Sequence, residues 1–193
     1  MLLSEADPGP VPTPPLGDFK EHLRLGHGFA DDGSEDALLA RILEAAVLAV
    51  ERRVARALVT RRFTLAVSRL DRGGCVALPV GPVSVIEAAA IREGAAEAAL
   101  DVSTWRVSAG STGQRVSAAG GALPAPADGA QLVMTFPAGL AADWASVPAD
   151  LEQAVLLLAA HFYARRGTED GGRREALPVA VDAILAAWAP VRA

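Results

Sequence analysis

Few residues of this sequence could do chemistry, and their spacing does not build a site. The three histidines are His22, His27 and His161, and the first two stand five residues apart, on different faces of a helix. The i, i+4 spacing of metal-binding histidines on a helix is therefore missing. His161 lies within an apolar segment, where a histidine of the core or of an interface is the favoured interpretation. Cys75 is the only cysteine, which excludes an intrachain disulfide and a thiolate metal cluster.

Two short motifs resemble ligand-binding loops but fail in detail. The acidic run "DDGSED", residues 31–36, lacks the ligand spacing and the distal glutamate of a calcium loop, and a capped helix start explains it better. The run "GSTGQR", residues 110–115, has no lysine after its second glycine and is no phosphate loop. The sequence therefore predicts no catalytic residue, no metal and no cofactor. A small enzyme or ligand-binding domain remains the less favoured alternative.

Composition narrows the class of protein further. The 193 residues carry a net charge of −5, and 51% of them are hydrophobic. An acidic chain is a poor general binder of DNA or of an anionic membrane. Its apolar stretches fall short of the roughly 18 residues that a membrane span needs. The acidic, Pro-rich start has no signal-peptide pattern. We expect a soluble protein that is cytoplasmic when made and has no membrane partner.

The first part of the chain predicts an extended arm followed by two helices. Residues 1–17 contain five prolines, which favour polyproline II and an extended arm. A short helix is predicted over 18–25 and a long helix over 35–59. The apolar positions of the long helix have helical spacing; they are Leu38, Leu39, Ile42, Ala45, Ala46, Ala49, Val50, Val54, Ala57 and Leu58. Its wetter face is marked by Arg41, Glu44, Glu51, Arg52 and Arg56.

The middle of the chain changes character. Residues 62–137 contain alternating and β-branched runs such as "FTLAVSRL" and "QLVMTF", separated by Gly- and Pro-rich turns. This pattern predicts four to six short, mostly antiparallel strands. We interpret them as a small sheet or barrel inserted between helices.

The last part predicts an apolar helix, a linker and a terminal helix. The helix over 148–166 is apolar on nearly all sides and must be covered by its own fold or by copies of itself. Its candidate core or interface residues are Leu157, His161, Phe162 and Tyr163. A Gly-rich linker follows at 167–176. The helix over 177–193 carries Leu177, Val181, Ile184 and Trp188 on one face. Its tether would permit that face to reach a partner.

Together these elements predict an α+β fold. The helices at 18–25, 35–59, 148–166 and 177–193 form a bundle, and the β insertion interrupts it. Residues 18–166 are predicted to be a single domain. The surplus of apolar helix surface suits assembly with other chains, because an exposed apolar patch lowers solubility unless a partner covers it.

A set of motifs in a fixed order resembles a known family. The segments are "PLGDFKEHLRL", "LPVGPVSVIEAAAI", "LDVSTWRVS", "VMTFPAGLA", "VPADLEQAVLLLAAHFYARR" and "LPVAVDAILAAWAPVR". Matching positions include Lys20, His22, Leu23 and Arg24 in the first helix, Leu78, Pro79, Pro82 and Val83 at a strand entry, and Trp105 where tyrosine is usual. The order resembles that of phage head–tail connector (adaptor) proteins, as found in tailed phages and phage-like gene transfer agents, over most of residues 15–192.

The resemblance implies a structural role in the neck of a particle. Such adaptors form a ring, usually of twelve copies, that joins the portal protein to the stopper or tail-completion protein. They line the passage through which DNA leaves, without binding it specifically, and they are made in the bacterial cytoplasm. On this basis Leu177, Val181, Ile184 and Trp188 are expected to contact the portal. Leu157, His161, Phe162 and Tyr163 are expected in the core or in the ring interface. A stopper or tail-completion protein of the same particle is the alternative.

Overall fold

A computed structural model describes residues 1–7, 9–24, 33–110, 113–165 and 177–189. The predicted linker at 167–176 and His27 lie outside these residues. The chain divides into two compact units. The β unit comprises Met1–Gly9 and Ala55–Ala142, and the helical unit comprises Pro10–Val54 and Asp143–Ala189. The predicted single domain over 18–166 thus contributes residues to both units.

The helices agree in number and type with the prediction, and their bounds differ by a few residues. They are α1 Leu16–His22, α2 Asp36–Val54, α3 Ala149–Arg165 and α4 Val179–Trp188, with a 3-10 turn at Trp144–Ser146 before α3. The largest difference is at the end of α2, which was predicted to reach residue 59. Ala55 has a φ of 54°, in the left-handed region that an α-helix cannot continue through.

The described residues of the β unit form eight strands in two sheets. They are β1 Leu2–Glu5, β2 Arg61–Val67, β3 Val76–Ala77, β4 Ala88–Glu93, β5 Ala96–Leu100, β6 Trp105–Gly110, β7 Gly113–Ala118 and β8 Gln131–Ala138. One sheet has the order β1-β2-β8-β4-β5 and the other β3-β7-β6, and all pairs are antiparallel. The five-stranded sheet ends in two edge strands, so a sheet and not a closed barrel forms.

The two sheets share one hydrophobic core. Inward side chains of β2 and β8 form its centre, where the Phe63 and Phe136 rings stack with centroids 6.5 Å apart. Trp105 of β6 and Val116 of β7 enter from the smaller sheet. Alternation along β2 and β8 places one face of each strand in this core, as the period of two predicts. The prediction of four to six strands was too low, since the described residues between Arg61 and Ala138 form seven. One of them is β5, whose alanines have a low preference for strands.

The start of the predicted arm is an ordered strand. Leu2–Glu5 pair as β1 with β2 of the same chain, in an antiparallel register that sets Leu3 opposite Leu65. The described residues from 9 to 15 form neither helix nor strand, and α1 starts directly after Pro15. The prolines therefore separate a paired strand from a helix.

The side chain of Gln114 joins β7 to a segment outside the sheet. Its amide nitrogen donates to the Val83 carbonyl oxygen at 2.8 Å, and its amide oxygen accepts from the Val83 backbone N–H at 2.7 Å. The Gln114 carbonyl oxygen also accepts from the Leu78 N–H at 2.9 Å. Val83 is buried, so this side chain replaces the strand partner that the Val83 backbone would otherwise lack.

We expect Gln114→Ala to lower the free energy of unfolding of the β unit by about 1–3 kcal/mol, because it leaves the donor and the acceptor of Val83 unpaired. Urea denaturation followed by tryptophan fluorescence measures the change. Gln114→Glu keeps an acceptor for the Val83 N–H but removes the donor, and it should also destabilise. Equal stability of Gln114→Ala and the unaltered chain would show that the two bonds contribute nothing.

The helical unit is built around α2 and α3, with α1 and α4 packed against them. Its buried side chains on the helices follow helical spacing and include Phe19, Leu39, Leu43, Ala46, Val47, Val50, Val54, Leu151, Ala154, Val155, Leu156, Leu158, Ala159, Val181 and Leu185. Two positions of α2 correct the sequence interpretation. Leu38 was assigned to the core but is 40% exposed, and Glu51 was assigned to the wet face but is 8% exposed. The buried face of α2 is therefore rotated from the predicted one.

Candidate assembly interface

The described residues offer surfaces and no chemical centre. Among them, no group of three or more His, Cys, Asp or Glu side chains could hold a metal ion. Cys75 is a half-buried free thiol in the turn after β2, and its backbone N–H donates to the Asp71 carboxylate at 2.9 Å. In the same part of the chain, no helix has both the length and the apolar character to cross a bilayer. The candidate site is therefore a set of helix surfaces.

The outer face of α3 is centred on Leu157. Leu156 and Leu158, on either side, are 9% and 1% exposed, whereas Leu157 is only half-buried. Gln153 and Ala164 lie on the same helical face and are exposed. Of the two alternatives for Leu157, the core of the subunit and an interface, its position in the isolated subunit favours the interface.

The other three candidate residues of α3 lie at its C-terminal end. His161, Phe162 and Tyr163 are all half-buried, and the His161 and Phe162 rings have centroids 6.4 Å apart. The Tyr163 hydroxyl donates a 2.8 Å hydrogen bond to the carboxylate of Glu35, just before α2. This bond fixes the end of α3 beside the start of α2, with three partly exposed rings at the surface.

Helix α4 packs its inner face on its own helical unit. Val181 and Leu185 are fully buried there. The Trp188 indole nitrogen donates to the Asp150 carboxylate of α3 at 2.7 Å, and Arg53 of α2 pairs with Asp182 at 3.1 Å. Of the predicted portal residues, Val181 is therefore buried within the subunit. The other three, Leu177, Ile184 and Trp188, are half-buried.

The outer face of α4 is apolar as well, which the sequence interpretation missed. Val179 is 87% exposed, and Ala180, Ala183 and Ala187 are exposed beside it. A helix that is apolar on both sides is normally covered on both sides. The signal was present in the sequence, since Asp182 is the one charged residue between Val179 and Trp188.

The outer face of α2 continues this pattern. Leu38 and Ala45 are exposed, and Ile42 and Ala49 are half-buried on the same face. Arg41 and Arg52 border the face. All three principal helices of this unit thus present apolar side chains outward, in excess of what their own core uses.

Charge is distributed unevenly between the two units. The helical unit has 15 Asp and Glu against 9 Lys and Arg, whereas residues 1–9 and 55–142 have 8 of each. The acidic balance of the protein therefore belongs to the helical unit. An interface of this unit would have to bury few of those carboxylates, because unpaired buried charges are costly.

Exposed charges of the β unit are paired locally. Glu87 raises the pKa of Arg62 above its ordinary value, through a hydrogen bond and through its negative charge. Asp7 makes a smaller contribution in the same direction. The backbone N–H of Ser103 lowers the pKa of the Asp101 carboxyl, because it stabilises the charged form. Both groups therefore serve local structure.

Comparisons with known proteins find similar chains in assembled particles. The chain is similar to a chain in the neck of an empty GTA particle computed with C6 symmetry, with 38% identity and a TM-score of 0.83. It is similar to one in the virion of a native gene transfer agent (GTA) particle, with 38% identity and a TM-score of 0.81. It also resembles one in the neck of a native GTA particle computed with C12 symmetry, with 33% identity and a TM-score of 0.78.

Each match covers 100% of this chain and 97% of the other. No protein-family model and no curated protein matches the chain.

Full-length similarity at this identity defines the class: the chain is a structural component of a multi-subunit particle and not an enzyme. It belongs to the head–tail neck protein family of phages and phage-like gene transfer agents, and the particle neck is its location. The resemblance seen in the sequence is thereby confirmed at the level of the family.

Proposed function

We propose that this neck protein is the adaptor, a subunit of a ring that joins the portal to the stopper and tail and surrounds the path of DNA. The observation that carries the proposal is similarity over the whole chain to proteins in particle necks. The apolar outer faces of α2, α3 and α4 support it, because a subunit with partners on several sides needs several such faces.

Twelve copies is the ring size that we propose. The similar necks were computed with C6 and with C12 symmetry. A ring of twelve subunits is compatible with both symmetries, because a twelve-fold axis is also a six-fold axis. In such a closed ring each subunit presents one surface to the neighbour on one side and a different surface to the neighbour on the other.

The portal contact is proposed for α4. Because Val181 is buried in the subunit, the contact would use the outer face of α4, which begins at Val179, together with the exposed parts of Leu177, Ile184 and Trp188. The buried inner face then fixes the helix on its own bundle. The portal would bind an ordered helix, which avoids the entropy cost of ordering a free segment.

The acidic helical unit fits a conduit that does not retain DNA. Lys and Arg contacts to phosphates bind DNA by release of counterions. An excess of carboxylates in a ring of twelve copies instead repels the DNA and lets it slide. We propose no specific contact between this protein and a base or phosphate.

An order-of-addition experiment tests the adaptor role against the stopper role. Purified protein is mixed with tailless, portal-bearing heads, with or without the stopper, and bound protein is measured by co-sedimentation. An adaptor binds such heads without the stopper, and the stopper binds only afterwards. If the protein binds only to heads that already carry another neck protein, it is a stopper or tail-completion protein.

Substitutions of two neighbouring leucines should distinguish an effect on stability from an effect on assembly. Leu158→Ala should lower the free energy of unfolding by about 2–5 kcal/mol, because it opens a cavity in the core. Leu157→Ala should cost less than about 1.5 kcal/mol, because the side chain is only half-buried. It should nevertheless weaken ring formation about tenfold or more if Leu157 is an interface anchor. Thermal melts and native mass spectrometry measure the two effects, and normal rings from Leu157→Ala would remove this face from the interface.

A further inference from the structure

The N-terminal strand β1 is held on the β unit through the edge of the five-stranded sheet. It contacts β2 on one side, and no strand of the described residues lies on its other side. Of its side chains, Leu3 packs half-buried against the core, whereas Met1 and Leu2 are 73% and 68% exposed. The strand is therefore held mainly by its pairing with β2, and Leu3 is its contact with the core.

Charged groups next to β1 define where it binds. Glu5 pairs with Arg61 at 3.1 Å, and Asp7 pairs with Arg62 at 3.4 Å. Between them, the Ala6 N–H donates to the Arg62 carbonyl oxygen at 2.9 Å. These contacts set the register of the strand. The edge of β2 on any copy of this chain offers the same partners.

The segment after β1 is built to extend. Residues 6–15 contain five prolines, and the described part from 9 to 15 has neither helix nor strand. Because Ala6 and Asp7 are bound beside β2, residues 8–15 connect β1 to α1, and eight residues of polyproline II span about 25 Å. The segment can therefore hold β1 at about that distance from the start of α1.

We propose that β1 is exchanged between copies in the assembled ring, so that β1 of each subunit pairs with β2 of the next. The inference rests on the proposed ring, and its partner is a second copy of this chain. Exchange keeps every hydrogen bond and ion pair of the β1 edge, so it costs little, and it ties each subunit to its neighbour. In a closed ring, each β2 edge is then paired with β1 of a neighbouring subunit, and each β1 has a β2 partner.

A designed disulfide tests the exchange. Ser4 and Thr64 are Cα partners across the two strands, and Ser4 is exposed. The variant Ser4→Cys, Thr64→Cys, Cys75→Ser is oxidised both as isolated subunits and as rings on portal-bearing heads. Denaturing gels without reductant then show which chains are joined.

Isolated subunits should give internally bridged monomers, and rings should give a ladder of covalent oligomers with loss of the monomer band. The two single-cysteine variants should give no ladder. Rings that contain only internally bridged monomers would overturn the exchange and leave the adaptor role intact. Failure of the unaltered protein to form rings on such heads would overturn both.

Charge reversal gives an independent test that needs no disulfide. Glu5→Arg subunits and Arg61→Glu subunits each place like charges together, and each alone should assemble several-fold less well. In a mixed ring of alternating subunits, exchange would restore every pair. A 1:1 mixture should then recover assembly to the level of the unaltered chain. If each subunit keeps its own arm, mixing restores no pair, and assembly stays low.

Discussion

Gly139→Ala should be among the most destabilising single changes in this protein. Gly139 directly follows β8, where its N–H donates to the Pro82 carbonyl oxygen at 3.2 Å. A methyl group added to it would overlap the backbone nitrogen and Cα of Thr60. Backbone cannot rotate away as a flexible side chain can, so the two segments must separate. We expect a loss of at least about 3 kcal/mol in the free energy of unfolding of the β unit.

A second glycine supplies the control for this measurement. A methyl group at Gly121 would meet nothing within 4 Å, and Gly121 has no left-handed φ. Gly121→Ala should therefore change the unfolding free energy by less than about 0.5 kcal/mol. Chemical denaturation of both variants gives the comparison. Similar stabilities for the two would mean that the chain relaxes around position 139 at no cost.

The second large effect is expected at the inner face of α4. Leu185 is fully buried, and Leu185→Ala should destabilise the helical unit by about 2–5 kcal/mol. The exposed neighbour Ala186 provides the control, since Ala186→Ser should be nearly neutral. Circular dichroism at the helix band follows the melting of this unit. Equal melting of Leu185→Ala and the unaltered chain would show that α4 is not part of the folded core.

Removal of residues 177–193 extends the same argument. From the sequence, this helix was expected to reach a partner. The buried Val181 and Leu185 and the bond from Trp188 to Asp150 also hold it on its own helical unit. Truncation should expose the matching surface of α3 and α2 and lower solubility. A truncated chain that stays monomeric and melts normally would show that the subunit does not need this helix.

Sequence reasoning located α3 well because its signals were redundant. Pro148 precedes the helix, Asp150 and Glu152 occupy its first turn, and Arg165 its last. The length of the apolar run also required a helix. The antiparallel strands were predicted for a similar reason, because alternation in "FTLAVSRL" and "QLVMTF" coincided with turns on both sides.

Orientation was harder to predict than position. When a helix is apolar on nearly all sides, its sequence does not show which side faces the core. Nothing in the sequence therefore distinguished the half-buried Leu157 from the buried Leu158. The same uncertainty affected α2, where Leu38 lies outside and Glu51 inside. The C-terminal end of α2 depends on one residue, Ala55, whose left-handed backbone no local pattern predicts. Tertiary packing decided these positions.

The exposed faces of the helices were hard to predict for a related reason. The number of apolar residues on a helix can be read from a sequence. Which of its faces stays exposed after the core has formed cannot. Val181 was assigned to a partner and is buried in the core, whereas Val179, which was not considered, is 87% exposed. The arm was read as extended, but its pairing with β2 depends on residues some 60 positions away and was not foreseen.

The central claim is that this neck protein is the adaptor ring, and an image of the particle neck tests it most directly. Particles whose copies of this protein carry a small C-terminal label are imaged by electron microscopy, and the neck is reconstructed without imposed symmetry. The account predicts twelve labelled subunits in one ring that directly contacts the portal, with the helical fold of each copy recognisable. Labelled density separated from the portal by another ring of protein would contradict the account and assign the chain to the stopper or tail-completion position.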